Sequence, residues 1–146
     1  MKTPKLAKYG PLPRPASLQE AVKVLKQERF PAPPHIDFIT MQATEFTSIC
    51  PRTGQPDFGQ VEITYWPNSW AIESKSWKFF LWSFREEGAF CESLSSMIAC
   101  YVFDAIQPKR VEVTVKQNAR GAIAITSFAA RERIPRPRSF KQTPKS

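Results

Sequence analysis

Residues 73–106 read ESKSWKFFLWSFREEGAFCESLSSMIACYVFDAI, and this stretch encodes two helical stripes in succession. Trp77, Phe80, Leu81 and Phe84 recur at i, i+3, i+4 and i+7, the spacing that lines one face of a helix, with Ser74 or Ser76 as cap and Gly88 as stop. Leu94, Met97, Ile98, Tyr101, Val102 and Ala105 form the second stripe, which ends before Pro108. On either side the period changes to two, as a strand with one buried face requires. Ile36–Ala43 and Gln60–Trp66 alternate before the helices, the latter with Val61, Ile63 and Tyr65 on one side. Arg110–Gln117, with Val111, Val113 and Val115, and Gly121–Phe128 alternate after them. The order is ββααββ. Sequential strands in this order pair most simply as two antiparallel hairpins in one four-stranded α+β sheet with both helices on one face. Such a sheet leaves two open edges, an aggregation hazard that several copies joined side by side into a ring or barrel would remove.

Composition sets the limits. A chain of 146 residues is large enough for one real core. Of its 14 prolines, seven fall in residues 1–34 and three in 135–144. The formal charge of +8 divides the same way: seven basic and two acidic residues in 1–34, six and one in 131–146, eight and ten between. The reading is therefore a basic, Pro-rich extension over 1–34, with a short helix over Leu18–Phe30 after a Ser17 cap, a domain over 35–130, and a basic tail over 131–146. No run is apolar enough for a membrane helix or signal peptide, so the expected location is the cytoplasm. Cys50, Cys91 and Cys100 are an odd set without a C-x-x-C pair, and there is one histidine, so reduced thiols and no metal site are expected.

Two segments carry chemistry. Residues 45–58, EFTSICPRTGQPDF, form a connection longer than a tight hairpin turn, with Cys50 seven residues before Asp57. A thiol is the best neutral-pH nucleophile among side chains once something favours its thiolate, and a carboxylate brought beside it can handle protons. Composition alone favours the plainer reading of Cys50 as a small buried side chain. At 73–80, ESKSWKFF, two lysines at i and i+3 project from a helix start, where free N–H groups and the helix dipole favour an anion such as phosphate. Arg120-Gly121 adds a cationic turn between the last two strands. None of the five glycines makes a Rossmann or P-loop motif.

These two motifs, together with Ser83-Phe84-Arg85, Phe90 with Glu92, and Arg120-Gly121, resemble the QueF family of NADPH-dependent 7-cyano-7-deazaguanine reductases over roughly residues 35–128. The resemblance implies the tunnelling fold (T-fold), a homo-oligomer with clefts between subunits, and a role in making queuosine for transfer RNA. It puts Cys50 on the nucleophile that forms a covalent thioimide with the nitrile and Asp57 on the acid that protonates nitrogen. Glu92, Glu73, Ser74 and Phe90 fall on substrate-binding positions, and Lys75, Lys78 and Arg120 on positions that meet NADPH phosphates. Two places depart: the family commonly has a histidine before the base-binding glutamate, and here it is Cys91, which leaves more proton handling to Asp57 or water, and the Asn-His pair that usually follows the signature's Phe-Arg is here Glu86-Glu87. Cys91 reads as a packing residue or as a disulfide partner of Cys50. Two further readings stand beside the reductase: a related amidinotransferase that attacks the same thioimide with ammonia, and a non-catalytic module binding nucleic acid through basic ends.

Overall fold

A computed structural model describes residues 14–133; the remainder of the two Pro-rich ends lies outside the described residues. Ser17 caps the first helix, its Oγ accepting the Glu20 N–H at 3.1 Å, and α1 runs over Leu18–Gln27. Leu18, Ala21, Val24 and Leu25 are buried on one face of α1 and join the main core, so the change in composition near residue 34 is not a break in packing. Two short strands that the alternation does not reveal, β1 (Phe30–Pro31) and β4 (Trp70–Ala71), pair with each other and hold α1 to the rest.

The main sheet is antiparallel, in the order β2 (Ile39–Ile49), β3 (Pro56–Trp66), β5 (Arg110–Arg120), β6 (Ile123–Glu132). Its inner face presents Val61, Ile63, Tyr65, Val111, Val113 and Val115, all essentially unexposed. Against that face pack α2 (Ser74–Trp82), a 3-10 turn over Ser83–Glu86, and α3 (Cys91–Ile106). Phe80 and Phe84 meet edge to face at 5.2 Å, so the first helical stripe supplies the aromatic centre of the core. Gly88 falls just past the 3-10 turn, and α3 closes on Gln107 in the left-handed region immediately before Pro108.

The strands are longer than the alternation indicates, and this corrects the reading of the Cys50 connection. A bulge between Ala43 and Phe46 restores the inward phase in β2, burying Phe46 and Ser48, and pairing with β3 continues to Ile49 opposite Pro56. The expected long loop over 45–58 is therefore a short turn over 50–55 at the end of a rigid hairpin. Close approach of β3 to β5 depends on Gly59, where a side chain would run into the Lys116 carbonyl.

Candidate active site

The Cys50 turn is held at both ends. The Cys50 N–H donates to the Gln55 carbonyl at 2.9 Å, and the Gly54 N–H donates to the Cys50 carbonyl at 2.9 Å, with Gly54 at φ 69° as the turn requires. One residue back, Ile49 is strapped to the segment before α3: its N–H donates to the Glu87 carbonyl and its carbonyl accepts from the Ala89 N–H, each at 3.1 Å. That strap ties the Cys50 turn to the start of α3, where Phe90, half exposed, and Glu92, exposed, stand.

Cys50 itself is half-buried and so reachable. The Thr53 hydroxyl, the Thr53 and Arg52 N–H groups, and more weakly the Arg120 guanidinium, all stabilise its anion, and together they lower the thiol to about 7 against a small opposing effect of burial. Asp57, only 7% exposed, sits opposite Ser48 across the hairpin. Its carboxylate is ion-paired to Arg120, which reaches back from the β5–β6 turn and also donates to the Gln55 side-chain oxygen at 3.4 Å. Arg120, a phosphate ligand by resemblance, is thus engaged with Asp57 in this chain while its side chain stays 39% exposed. The guanidinium is held more firmly charged by Cys50 and Asp57 together.

The start of α2 is organised differently from the expectation. Neither Ser74 nor Ser76 is the cap: the Glu73 carboxylate accepts the Lys75 and Ser76 N–H groups, each at 2.8 Å, while the Ser76 hydroxyl donates back to the Glu73 carbonyl at 2.7 Å. A carboxylate with two oxygens satisfies two orphan donors where a hydroxyl satisfies one, and its charge favours the positive helix end. The anion expected at this helix start is, for those two N–H groups, the chain's own Glu73. Entry to the helix is fixed from below by the buried Tyr65 hydroxyl, which accepts the Ile72 N–H at 3.0 Å. Ser74, Lys75 and Lys78 are exposed.

Between α2 and the edge of β2 runs a groove of about 760 Å³, with Met41, Trp77, Leu81 and Trp82 on its walls and Ser74, Lys78 and Arg85 among its polar groups. Arg85 closes one side by donating from Nε to the Thr47 hydroxyl at 3.2 Å. The Trp77 indole N–H is buried here without a partner among the described residues. Cys50 is not part of this lining. The structure therefore brings Cys50, Asp57 and Arg120 together and gathers Glu73, Ser74, Lys75 and Lys78 at a second place.

Cys91, at the family's histidine position, is 4% exposed and faces β5 and β6, its sulfur 3.8 Å from the Val115 carbonyl and 3.7 Å from the Ile125 carbonyl. Burial pushes its thiol up, and all three cysteines are free, which agrees with packing rather than a bond to Cys50. Sequence reasoning does not single out Thr53 or Gln55; their only signal is their place inside the quoted Cys50 motif. Among the described residues no group of three or more His, Cys, Asp and Glu side chains converges as a metal site would, and no helix is long and apolar enough to cross a membrane.

A reachable thiol drawn toward its thiolate, near a buried ion-paired carboxylate on an α+β scaffold, defines a class of site able to attack an electrophilic carbon covalently. Comparison with known proteins gives this class a family. The model of the family described as QueF-like protein matches residues 56–136. The NADPH-dependent 7-cyano-7-deazaguanine reductase of Syntrophus aciditrophicus is 44% identical over 110 residues, covering 74% of this chain and 79% of the relative. The protein of the same name from Helicobacter pylori (strain Shi470) is 45% identical over 103 residues, covering 69% of this chain and 70% of that one. The chain belongs to the QueF-like family. The crystal structure of the apo archaeosine synthase QueF-Like superposes with a TM-score of 0.63 at 23% identity, over 68% of this chain and 98% of that chain, and shows the shared fold.

Proposed function

We propose that this chain is an NADPH-dependent reductase of 7-cyano-7-deazaguanine, the activity its relatives are named for, acting on the way to queuosine. The observation that carries the reading is the Cys50 turn, whose N–H groups and Thr53 hydroxyl favour a thiolate at neutral pH next to Asp57. Addition of a thiol across a nitrile forms one sulfur–carbon bond, opens one carbon–nitrogen π bond and moves one proton from sulfur to nitrogen. Cys50 makes the bond, and Asp57 takes that proton and delivers it to nitrogen, giving a thioimide. NADPH, when bound, supplies hydride to the former nitrile carbon, twice per substrate because four electrons separate a nitrile from a primary amine. Cys50 holds the carbon until the sulfur–carbon bond breaks, and Asp57 supplies protons to nitrogen as the 7-aminomethyl-7-deazaguanine product forms.

The α2 groove suits such a cofactor: its size is that of a ligand pocket, its walls are aromatic and aliphatic, and Lys78 and Arg85 are available to phosphates, with Lys75 on the same helix start. For the substrate, Glu92 offers an exposed carboxylate to the N–H edge of the base, Phe90 a stacking face, and Glu73 with Ser74 further hydrogen-bonding oxygens.

The proposed architecture is the T-fold over residues 35–130, with α1 packed on it and the basic ends as accessories, in a cytoplasmic ring of copies. Its support is that β2 and β6 are the outer strands of the four-stranded sheet, the free side of β2 being bridged among the described residues at Ile49, and that Ile123 and Phe128 on β6 are 67% and 59% exposed. A cleft between copies would bring the α2 groove of one to the Cys50 turn of another.

The test mixes the purified protein with the nitrile and looks by mass spectrometry for a mass gain on Cys50, then adds NADPH and follows its absorbance. Adduct and oxidation are expected from the native chain, and Cys50→Ala should lose both, with turnover down at least about a thousandfold. A native protein that stays unmodified and leaves NADPH unchanged refutes the reductase and points to a binding role.

A further inference from the structure

The resemblance to reductases assigns Arg120 to a cofactor phosphate, but three observations give it other work in this chain. Its guanidinium is ion-paired to Asp57, whose side chain is 9% exposed. A second nitrogen of the same fork donates to the Gln55 side chain at 3.4 Å, and Gln55 is the residue whose carbonyl closes the Cys50 turn. The third is the nearby Cys50 sulfur, whose negative charge also favours the charged guanidinium. A planar fork that meets the Asp57 carboxylate and the Gln55 amide of the Cys50 turn at once sets their relative positions in a way an ammonium cannot.

We infer that Arg120 is a positioning residue for the nucleophile: it holds the Asp57 carboxylate and the Cys50 turn in register for addition to the nitrile, before any cofactor is needed. The inference rests on the reductase reading for its substrate, and on the pairing of β3, β5 and β6 for its geometry. Asp57 lies near the start of β3 and Arg120 at the end of β5, 63 residues later, and the antiparallel register returns one to the other. Unpaired, a carboxylate so little exposed would lose its nearest compensating charge and turn toward water or toward Lys116, which lines the same crevice. Other charged residues on the elements around the sulfur are Arg52 in its own turn, Glu87 on the strap to Ile49, and Glu92 at the start of α3.

The two assignments of Arg120 separate in an experiment without NADPH. Arg120→Ala is expected to slow formation of the Cys50 adduct with the nitrile by about 10- to 100-fold, the scale on which small misplacements of reacting groups act. Arg120→Lys, which keeps charge and loses the fork, should recover part of that rate and guards against misfolding of the alanine variant. In parallel, iodoacetamide is applied to native and variant proteins at a series of pH values, where Arg120→Ala should alkylate Cys50 about threefold more slowly at pH 7. An adduct rate within twofold of native in both variants, with only the NADPH KM raised, overturns the inference and returns Arg120 to the phosphate. Were the native chain to form no adduct, the reductase reading would fail, and the alkylation series would still decide Arg120: identical native and Arg120→Ala profiles refute it.

Discussion

Around Cys50 the chain turns its charges on itself, with Arg120 paired to Asp57 and bonded to Gln55, and the sulfur seated among N–H groups. At the start of α2 it does the reverse. Glu73 satisfies the backbone there, and Lys75 and Lys78 stand exposed without an ion pair among the described residues. The contrast teaches that the surroundings of Cys50 are completed within one chain, whereas the charges of Lys75 and Lys78 are not; under the proposed function that division fits a prebuilt nucleophile and a grip for an incoming anion. A group that must be reactive on arrival of substrate is best oriented beforehand, since reorganisation then costs nothing during the reaction. A group that grips a mobile anion gains by staying solvated until the anion comes.

The largest effect that could break the comparison is Asp57→Asn. Asparagine keeps the shape, cannot carry the proton and cannot pair with Arg120 as an ion, so turnover should fall about 10²- to 10⁴-fold in steady-state assays. Turnover near the native level would mean that the prebuilt end has no catalytic use for its carboxylate. Next in size, Lys75→Ala and Lys78→Ala should each raise the NADPH KM about tenfold while leaving cofactor-free adduct formation on Cys50 untouched. Equal loss in both assays would erase the division of labour between the two ends. Smallest is Glu73→Ala, which leaves the Lys75 and Ser76 N–H groups unsatisfied and should cost about 1 kcal/mol. A thermal melt should show this as a lowering of Tm by about 3 °C. An unchanged melt would show that the Glu73 cap adds nothing to the stability of α2.

Alkylation against pH sharpens the same contrast among the thiols. Cys50 is lowered to about 7 by donors to its anion, so its reactivity should climb through neutral pH and level off above it. Burial pushes Cys91 the other way, so a short treatment near pH 7.5 should label Cys50 and spare Cys91, as peptide mapping would report.

Period and spacing made ββααββ legible from residue order, because each strand and each helix has one face in water and one in the core, and Val61, Ile63 and Tyr65 or Trp77, Phe80 and Phe84 must follow the local repeat to reach it. The same logic hid the ends of those elements. A bulge at Ala43–Phe46 breaks the count of two, so β2 runs on to Ile49 where alternation alone reads a loop, and the Cys50 connection shrinks to a turn. Likewise the capping of α2 by Glu73 depends on a side chain folding back on the following N–H groups, a contact that the serine preference at caps does not reveal.

What residue order determined by itself was the element sequence, the separation of a basic, Pro-rich pair of ends from a nearly neutral middle, and the two motifs that hold the reactive side chains. Only the tertiary structure decided that Arg120 meets Asp57, that Cys91 is turned into the core, and that Cys50 and Lys78 belong to different places. Those are matters of strand register and helix facing across tens of residues, and a local pattern carries no information on which distant partner a charge will find until burial and hydrogen bonding have been satisfied everywhere at once.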